Sequence, residues 1–433
     1  MPANPDSRAG TIAPTPGHTG GPPDSAGGSG YVERGTPEFR RAAVALFAAG
    51  FATFALLYCV QPLMPVFARE FGLSAATSSL VLSVSTATLA AGLLVTGPIS
   101  DAVGRKPVMV AALLAASLFT LASVAMTTWH GILAMRALLG LSLCWLAAVA
   151  MTYLSEEIHP RVLGYAMGLY VGGTAIGGMG GRLIAGVAVD FVSWRTALGA
   201  LGGLSLVATL VLWRTAPASR HFRRTPLRLR AVGHAFQLHL RDAALPWLFL
   251  EGFLLLGGFV TLFNYITYRL LAAPYHLSQA TVGCLSVVYV AGVFTSARIG
   301  ELADRLGRRR VFRVVIAVML AGALVTLARP LWVILTGMVI FATGFFGAHS
   351  VASSWIGRRA RVARAQASSL YLLCYYLGSS LAGTAGGYFW HVAGWTGVVG
   401  FIASLLTVAL AVAGWLMRVP PLPEPSPRAT TGA

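Results

Sequence analysis

Among the long apolar stretches of this chain, Glu251 is the one acidic residue that falls well inside. A carboxyl group in apolar surroundings can take up and release a proton as its access to water alternates. Glu251 lies about two turns into its stretch, in line with Gly258 and Tyr265 at seven-residue intervals, which on a helix is one face. The competing role is structural: a protonated or arginine-paired carboxyl near the membrane interface. Arg136 and Arg182 are the deep cations, and Asp190 stands eight residues beyond Arg182 as its expected partner. Polar and aromatic residues at mid-depth are Tyr58, Gln61, Asn264, Tyr265, His349, Tyr375 and Tyr376. Singly these read as packing or interhelical hydrogen-bonding residues. Together they describe a cavity with aromatic walls and few fixed charges, suited to an amphipathic organic solute. The chemistry in view is proton exchange and solute binding. His130, His159, His234, His239 and His276 are scattered without acidic partners at ligand spacing, so neither a metal site nor an integral membrane enzyme is expected. Cys59, Cys144, Cys284 and Cys374 show no CxxC spacing and read as small packing residues.

A second pattern is written twice. Gly97-Pro98-Ile99-Ser100-Asp101-Ala102-Val103-Gly104-Arg105-Lys106 returns as Gly300-Glu301-Leu302-Ala303-Asp304-Arg305-Leu306-Gly307-Arg308, each copy where one apolar run ends and the next begins. The glycines permit a sharp turn. Asp101 and Asp304 can accept from neighbouring helix amino termini, or pair with Arg105 and Arg308 one turn on. The plainer reading, that the basic residues only fix membrane orientation, asks for no Asp or Gly. A repeat at this spacing in an apolar chain implies two homologous membrane halves with a solute path between them.

The elements that must position these residues follow from composition. The 433 residues are 56% hydrophobic and 11% charged, with a mean hydropathy of +0.72, so lipid is the solvent for most of the chain. A net charge of +18 does not imply nucleic acid, because the basic residues sit in short gaps between apolar runs. At roughly twenty residues per crossing there are about twelve runs, and each must be a helix to satisfy its own backbone. The expected division is a disordered tail over 1–41, a six-helix bundle over 42–213, an Arg-rich linker over 214–243, a second bundle over 244–417, and a tail over 418–433. No secretory signal precedes the first run. With the amino terminus placed inside, Arg105, Lys106, Arg214, Arg223, Arg224, Arg308, Arg309, Arg310, Arg358 and Arg359 all fall inside, while the outer segments keep only Arg69, Arg195, Arg269 and Arg329. Both termini are then cytoplasmic. In the fifth run Gly164, Gly168 and Gly172 recur every four residues, and Gly173, Gly177 and Gly181 do so on an adjacent stripe, spacing that lets helices approach closely. Gly378, Gly383, Gly386 and Gly387 place a looser version in the eleventh run.

The doubled Gly-x-x-x-Asp-x-x-Gly-Arg motif resembles the signature of the major facilitator superfamily, over about 42–417. Tyr58-x-x-Gln61-Pro62-x-x-Pro65 and Arg136-x-x-x-Gly140 are similar to patterns of the bacterial drug/proton antiporter group, particularly its inner-membrane branch. The resemblance implies an all-α fold of twelve helices in two pseudo-symmetric six-helix bundles, working by alternating access. It further implies that Gly97, Asp101, Gly104, Arg105, Lys106, Gly300, Asp304, Arg305, Gly307 and Arg308 latch the cytoplasmic side. Arg136 is then expected to face the cavity and modulate proton transfer or bind an anionic group. Two departures stand out: Ala102 replaces the usual Arg, and the fifth run carries Gly177-Gly178-Met179-Gly180-Gly181 where Gly-Pro is usual. The expected function is proton-driven efflux of a small organic compound across the inner membrane. The alternative is a symporter importing a sugar, organic acid or amino acid; an integral membrane enzyme is the remote one. The expected partners are the lipid bilayer, a small-molecule substrate and protons, with the protein a monomer and no cofactor beyond the proton gradient.

Overall fold

The computed structural model describes residues 31–222 and 229–420. The first helix, α1 (Pro37–Tyr58), is capped by Thr36, whose hydroxyl accepts from the Phe39 amide at 3.1 Å. Residues 31–41 are therefore not all tail. Val32 pairs with Ile158 in a parallel bridge, and Phe39 is buried. The first run is also not one continuous helix. Pro62 has no amide proton to give, and the chain turns over residues 59–63 before α2 (Met64–Glu70).

The remaining elements of the first bundle are α3 (Ala75–Val103), α4 (Arg105–Val124), α5 (Trp129–Glu157), α6 (Pro160–Phe191) and α7 (Trp194–Thr215). The linker holds α8 (Leu229–Leu240), an element the sequence reading left out, and residues 223–228 lie outside the described residues. The second bundle comprises α9 (Leu245–Leu271), α10 (Gln279–Cys284), a 3-10 turn (Leu285–Val287), α11 (Val288–Leu306), α12 (Arg308–Val325), α13 (Leu331–Arg359) and α14 (Arg364–Leu416). Among the described residues ten helices are long and apolar enough to cross a membrane. Two further crossings complete the expected twelve. The 53 residues of α14 exceed one bilayer thickness more than twofold at about 1.5 Å per residue, and Ala393 and Gly394 leave helical geometry in the middle. α12 is 18 residues long and begins with three arginines.

The ends of the bundles differ in chemistry. At one end Ser74, Thr128, Ser193 and Ser278 cap α3, α5, α7 and α10. At the other, basic, end single glycines at positive φ, Gly104 at 120° and Gly307 at 88°, join α3 to α4 and α11 to α12. These are the second glycines of the two motif copies. Only a residue without a Cβ takes that backbone without strain.

Packing repeats across the halves. α1 lies on α6 as α9 lies on α14, α3 on α5 as α11 on α13, and α4 on α5 as α12 on α13. Gly173, Gly177 and Gly181 of α6 meet the α1 backbone: a Cβ on Gly173 would lie 2.6 Å from the Phe47 carbonyl oxygen, and one on Gly181 2.6 Å from Ala55 Cα. Gly168 and Gly172 have no described neighbour beyond their own helix backbone within 4 Å of such a Cβ, so the packing role expected of them is corrected. Of the two stripes, only the one turned toward α1 makes the contact. In the second bundle Gly378 meets Phe253 and Gly386 meets Thr261 and Tyr265.

Candidate functional site

The two bundles join at the end opposite the basic one. Ser78 bonds the Tyr268 hydroxyl at 2.5 Å, Thr384 bonds Ser83 at 2.7 Å, and Gln61 Nε2 donates to Asn264 Oδ1 at 2.7 Å. Both seams are lined by small residues. Gly387 of α14 packs on Ala76 of α3, and Gly186 of α6 on Gly283 of α10. The Asp190 carboxylate accepts from the Gln279 and Ala280 amides at the start of α10, at 3.2 and 2.8 Å. Asp190 is thus a contact between bundles and not the partner of Arg182, as the sequence had suggested.

Arg182, 6% exposed, donates Nε to Gln61 Oε1 and Nη1 to the Gly178 carbonyl, both at 2.5 Å. Its guanidinium lies between two rings, 4.4 Å from the centre of Tyr58 and 4.7 Å from that of Tyr289. Tyr58 comes from the first bundle and Tyr289 from the second, so one cation is held by both halves. Sequence reasoning missed Tyr289. Its one available signal was a lone tyrosine in the eighth run, which otherwise carries only Phe294 as an aromatic residue.

From Tyr289 a train of rings leads toward the basic end. Phe346 lies 6.1 Å away, Phe345 5.3 Å further, Tyr375 6.4 Å from Phe345, and His349 4.8 Å from Tyr375. His349 Nδ1 bonds the Tyr371 hydroxyl at 2.8 Å. The Tyr371 ring in turn rests on Gly252, where a Cβ would sit 2.6 Å from Cε2. Glu251, the neighbour of Gly252, is 0% exposed, and neither carboxyl oxygen has a hydrogen-bond partner among the described residues. Tyr376 packs edge-on to Tyr375 at 5.3 Å. The expected residues Tyr58, Gln61, Arg182, Asn264, His349, Tyr375 and Tyr376 therefore fall along one path, with Glu251 beside it.

Two expected residues do not. Tyr265 is buried, and its hydroxyl donates to the Gly383 carbonyl at 2.8 Å, which makes it a joint between α9 and α14. Arg136 is 2% exposed and gives Nε to the Val81 carbonyl at 3.0 Å, Nη1 to Leu56 at 2.8 Å and Nη2 to Leu57 at 2.7 Å. Leu56 and Leu57 are in the last turn of α1, where the break before Pro62 leaves carbonyls without helical donors. Arg136 closes that helix end and does not line the path.

At the basic end the second motif copy is complete. Asp304 accepts from Arg308 at 2.6 Å and from Arg358 of α13 at 3.2 Å, and Arg305 pairs with Glu301 at 2.5 Å. In the first copy Gly97 and the Asp101 side chain lie outside the described residues. Arg105 there holds Glu156 with Nε and Nη2, at 3.0 and 2.6 Å, and Ser100 at 2.6 Å, while Lys106 donates to the Ala216 carbonyl at 2.5 Å. Glu156 was missed. The signal was positional: α5 and α13 are both 29 residues long, one ending Glu156-Glu157 and the other Arg358-Arg359, so equivalent ends carry opposite charge. Arg359 bonds Asp242, which also accepts from the Ala244 and Leu245 amides at 2.8 and 2.9 Å where α9 begins. Burial pushes the Asp242 carboxyl up, but these hydrogen bonds and the Arg359 charge outweigh it and hold the group below the ordinary carboxylate value.

The Major Facilitator Superfamily sequence profile matches this chain over residues 46–294 and 252–433. The inner membrane transport protein YnfM of Escherichia coli (strain K12) is 57% identical over 388 residues, 90% of this chain and 93% of that protein. The uncharacterized MFS-type transporter YybF of Bacillus subtilis (strain 168) is 48% identical over 394 residues, 91% of this chain and 98% of the relative. Among solved structures, the nucleoside transporter NupG superposes with a TM-score of 0.72 at 15% identity, covering 87% of this chain and all of the other, a likeness of fold alone.

Proposed function

This chain belongs to the Major Facilitator Superfamily and is a multi-pass secondary transporter, and from that premise we propose that it exports small organic compounds across the inner membrane, driven by protons. The observation that carries the coupling is Glu251. It is a fully buried carboxyl with neither oxygen partnered, beside the Tyr371–His349 pair. An ionised carboxylate without hydrogen bonds in such a place is costly, which suits a group that charges only when its surroundings open to water. That is the behaviour required of a proton carrier in alternating access.

Export is the direction we read from the seal between the bundles. With the basic end in the cytoplasm by the positive-inside rule, both termini are cytoplasmic and the sealed end faces outward. The halves are locked outside by Gln61–Asn264, Ser83–Thr384 and Ser78–Tyr268. At the basic end Arg105–Glu156 and Asp304–Arg358 each stay within one bundle. Such a state receives solute from the cytoplasm, and outward opening must break the first set of contacts. Asp304 and Arg105 then hold the inner ends of their own bundles rigid while the bundles rock.

The test is proton movement in proteoliposomes containing the purified full chain. A panel of amphipathic organic compounds is added, and internal pH is followed with a trapped dye. Compound-dependent proton flux opposite in direction to the solute supports export by antiport. Flux in the same direction as the solute would show a symporter, and solute movement without proton flux would remove the coupling.

A further inference from the structure

Arg182 carries a full charge that none of its described hydrogen bonds offsets. Its acceptors, Gln61 Oε1 and the Gly178 carbonyl, are neutral and account for two of a guanidinium's five N–H groups. Among the described residues each salt bridge joins a basic side chain to Asp or Glu, and none involves Arg182. A cation buried this far is costly without a counter-charge, and two tyrosine faces return only part of that cost. The neighbouring groups are also short of acceptors. Asn264 has its oxygen occupied by Gln61 while, among the described residues, its Nδ2 has no partner and the Tyr289 hydroxyl has none either; both residues are buried. On one side of the Arg182–Gln61 pair the free space is a cavity of about 20 Å³, room for a single water. On the other side lies the ring train.

We propose that Arg182, clasped between Tyr58 and Tyr289, is the anion-recognising group of the transport path, and that the solute is an organic carboxylate with an aromatic or apolar body. This rests on the transporter reading above and narrows its substrate class. The carboxylate meets the guanidinium, for which a planar fork of donors is the matched partner. The apolar body lies along Tyr58, Tyr289 and Tyr375. Because Tyr58 and Tyr289 belong to different bundles, the bound anion also bears on the seam that must open.

The test uses the purified full chain and three acids with their uncharged amides: benzoate and benzamide, salicylate and salicylamide, indole-3-acetate and indole-3-acetamide. Benzamidine serves as the cationic control. At saturation at least one acid should raise the thermal unfolding midpoint by roughly 5 °C, with its amide and benzamidine giving much less. Arg182→Gln should lose the acid response, and Arg182→Lys should keep a weakened one. The proposal is overturned if no acid stabilises the protein, if amides or benzamidine stabilise it as well as the acids, or if Arg182→Gln responds like the parent. Should Arg182→Gln fail to fold, the acid-against-amide comparison on the parent protein decides alone. The two readings fail separately. Proton-linked transport of amides but not acids would leave the transporter standing and remove the carboxylate assignment. Acid-specific stabilisation through Arg182 without any proton flux would keep the carboxylate assignment and remove the proton coupling.

Discussion

Two buried arginines of the first bundle look alike in sequence and serve differently. Arg136 spends its donors on the Val81, Leu56 and Leu57 carbonyls, so its removal leaves a broken helix end unsatisfied in an apolar interior. We predict that Arg136→Gln lowers stability by on the order of 3 kcal/mol, read as reduced membrane abundance and a lower unfolding midpoint in detergent, with no shift in the pH dependence of whatever transport survives. An altered pH profile at parental stability would return Arg136 to the coupling machinery. Asp242 gives a second residue-scale prediction. Its folded carboxyl sits below the ordinary value, so its stabilising effect is complete above that value and is lost as pH falls through the lowered one. Unfolding midpoints measured from neutral pH downward should fall less steeply for Asp242→Asn than for the parent protein. Equal slopes would mean that the Arg359–Asp242 pair at the start of α9 contributes nothing.

At the scale of the element, the glycine stripes separate what spacing reveals from what it cannot. Both stripes of α6 satisfy the same four-residue rule, yet only Gly173, Gly177 and Gly181 touch α1. Gly177→Ala should cost upward of about 2 kcal/mol, because the new methyl group drives into the Phe51 backbone. Gly168→Ala should be neutral or stabilising by up to about 1 kcal/mol, because helix propensity is the only term left. Fluorescence-detected size exclusion after a heat step compares the two, and equal losses would contradict the register of α6 on α1. Periodicity fixes the existence of a packing face but not which of two adjacent faces has a neighbour. The turn at Pro62 and the helix α8 were likewise hidden. A single proline in a long apolar run is compatible with a kink or a full break, and α8 lies in a stretch whose arginines dominate its reading. The glycine joints at Gly104 and Gly307 were legible because a turn between helices demands positive φ.

For the whole molecule, the doubled motif made the two-bundle architecture readable, while the contacts between bundles were not. Gln61–Asn264 and the Tyr58–Arg182–Tyr289 clasp join residues that sequence places in separate halves, and no periodicity relates them. The seal opposite the basic end gives a prediction at this scale. Ser83→Cys with Thr384→Cys, whose hydroxyl oxygens are 2.7 Å apart, should form a disulfide on oxidation, stop transport, and release it on reduction. Undiminished transport by the cross-linked protein would show that this seam does not open.

The central claim is that Glu251 exchanges the proton that drives the cycle. Gln resembles the protonated carboxyl in shape and hydrogen bonding but cannot release a proton. In proteoliposomes Glu251→Gln should therefore still exchange labelled solute across the membrane at equal pH, and should fail to accumulate it when a pH gradient is imposed. Gradient-driven accumulation by Glu251→Gln at the parental level would contradict the account and make Glu251 a structural residue of the second bundle.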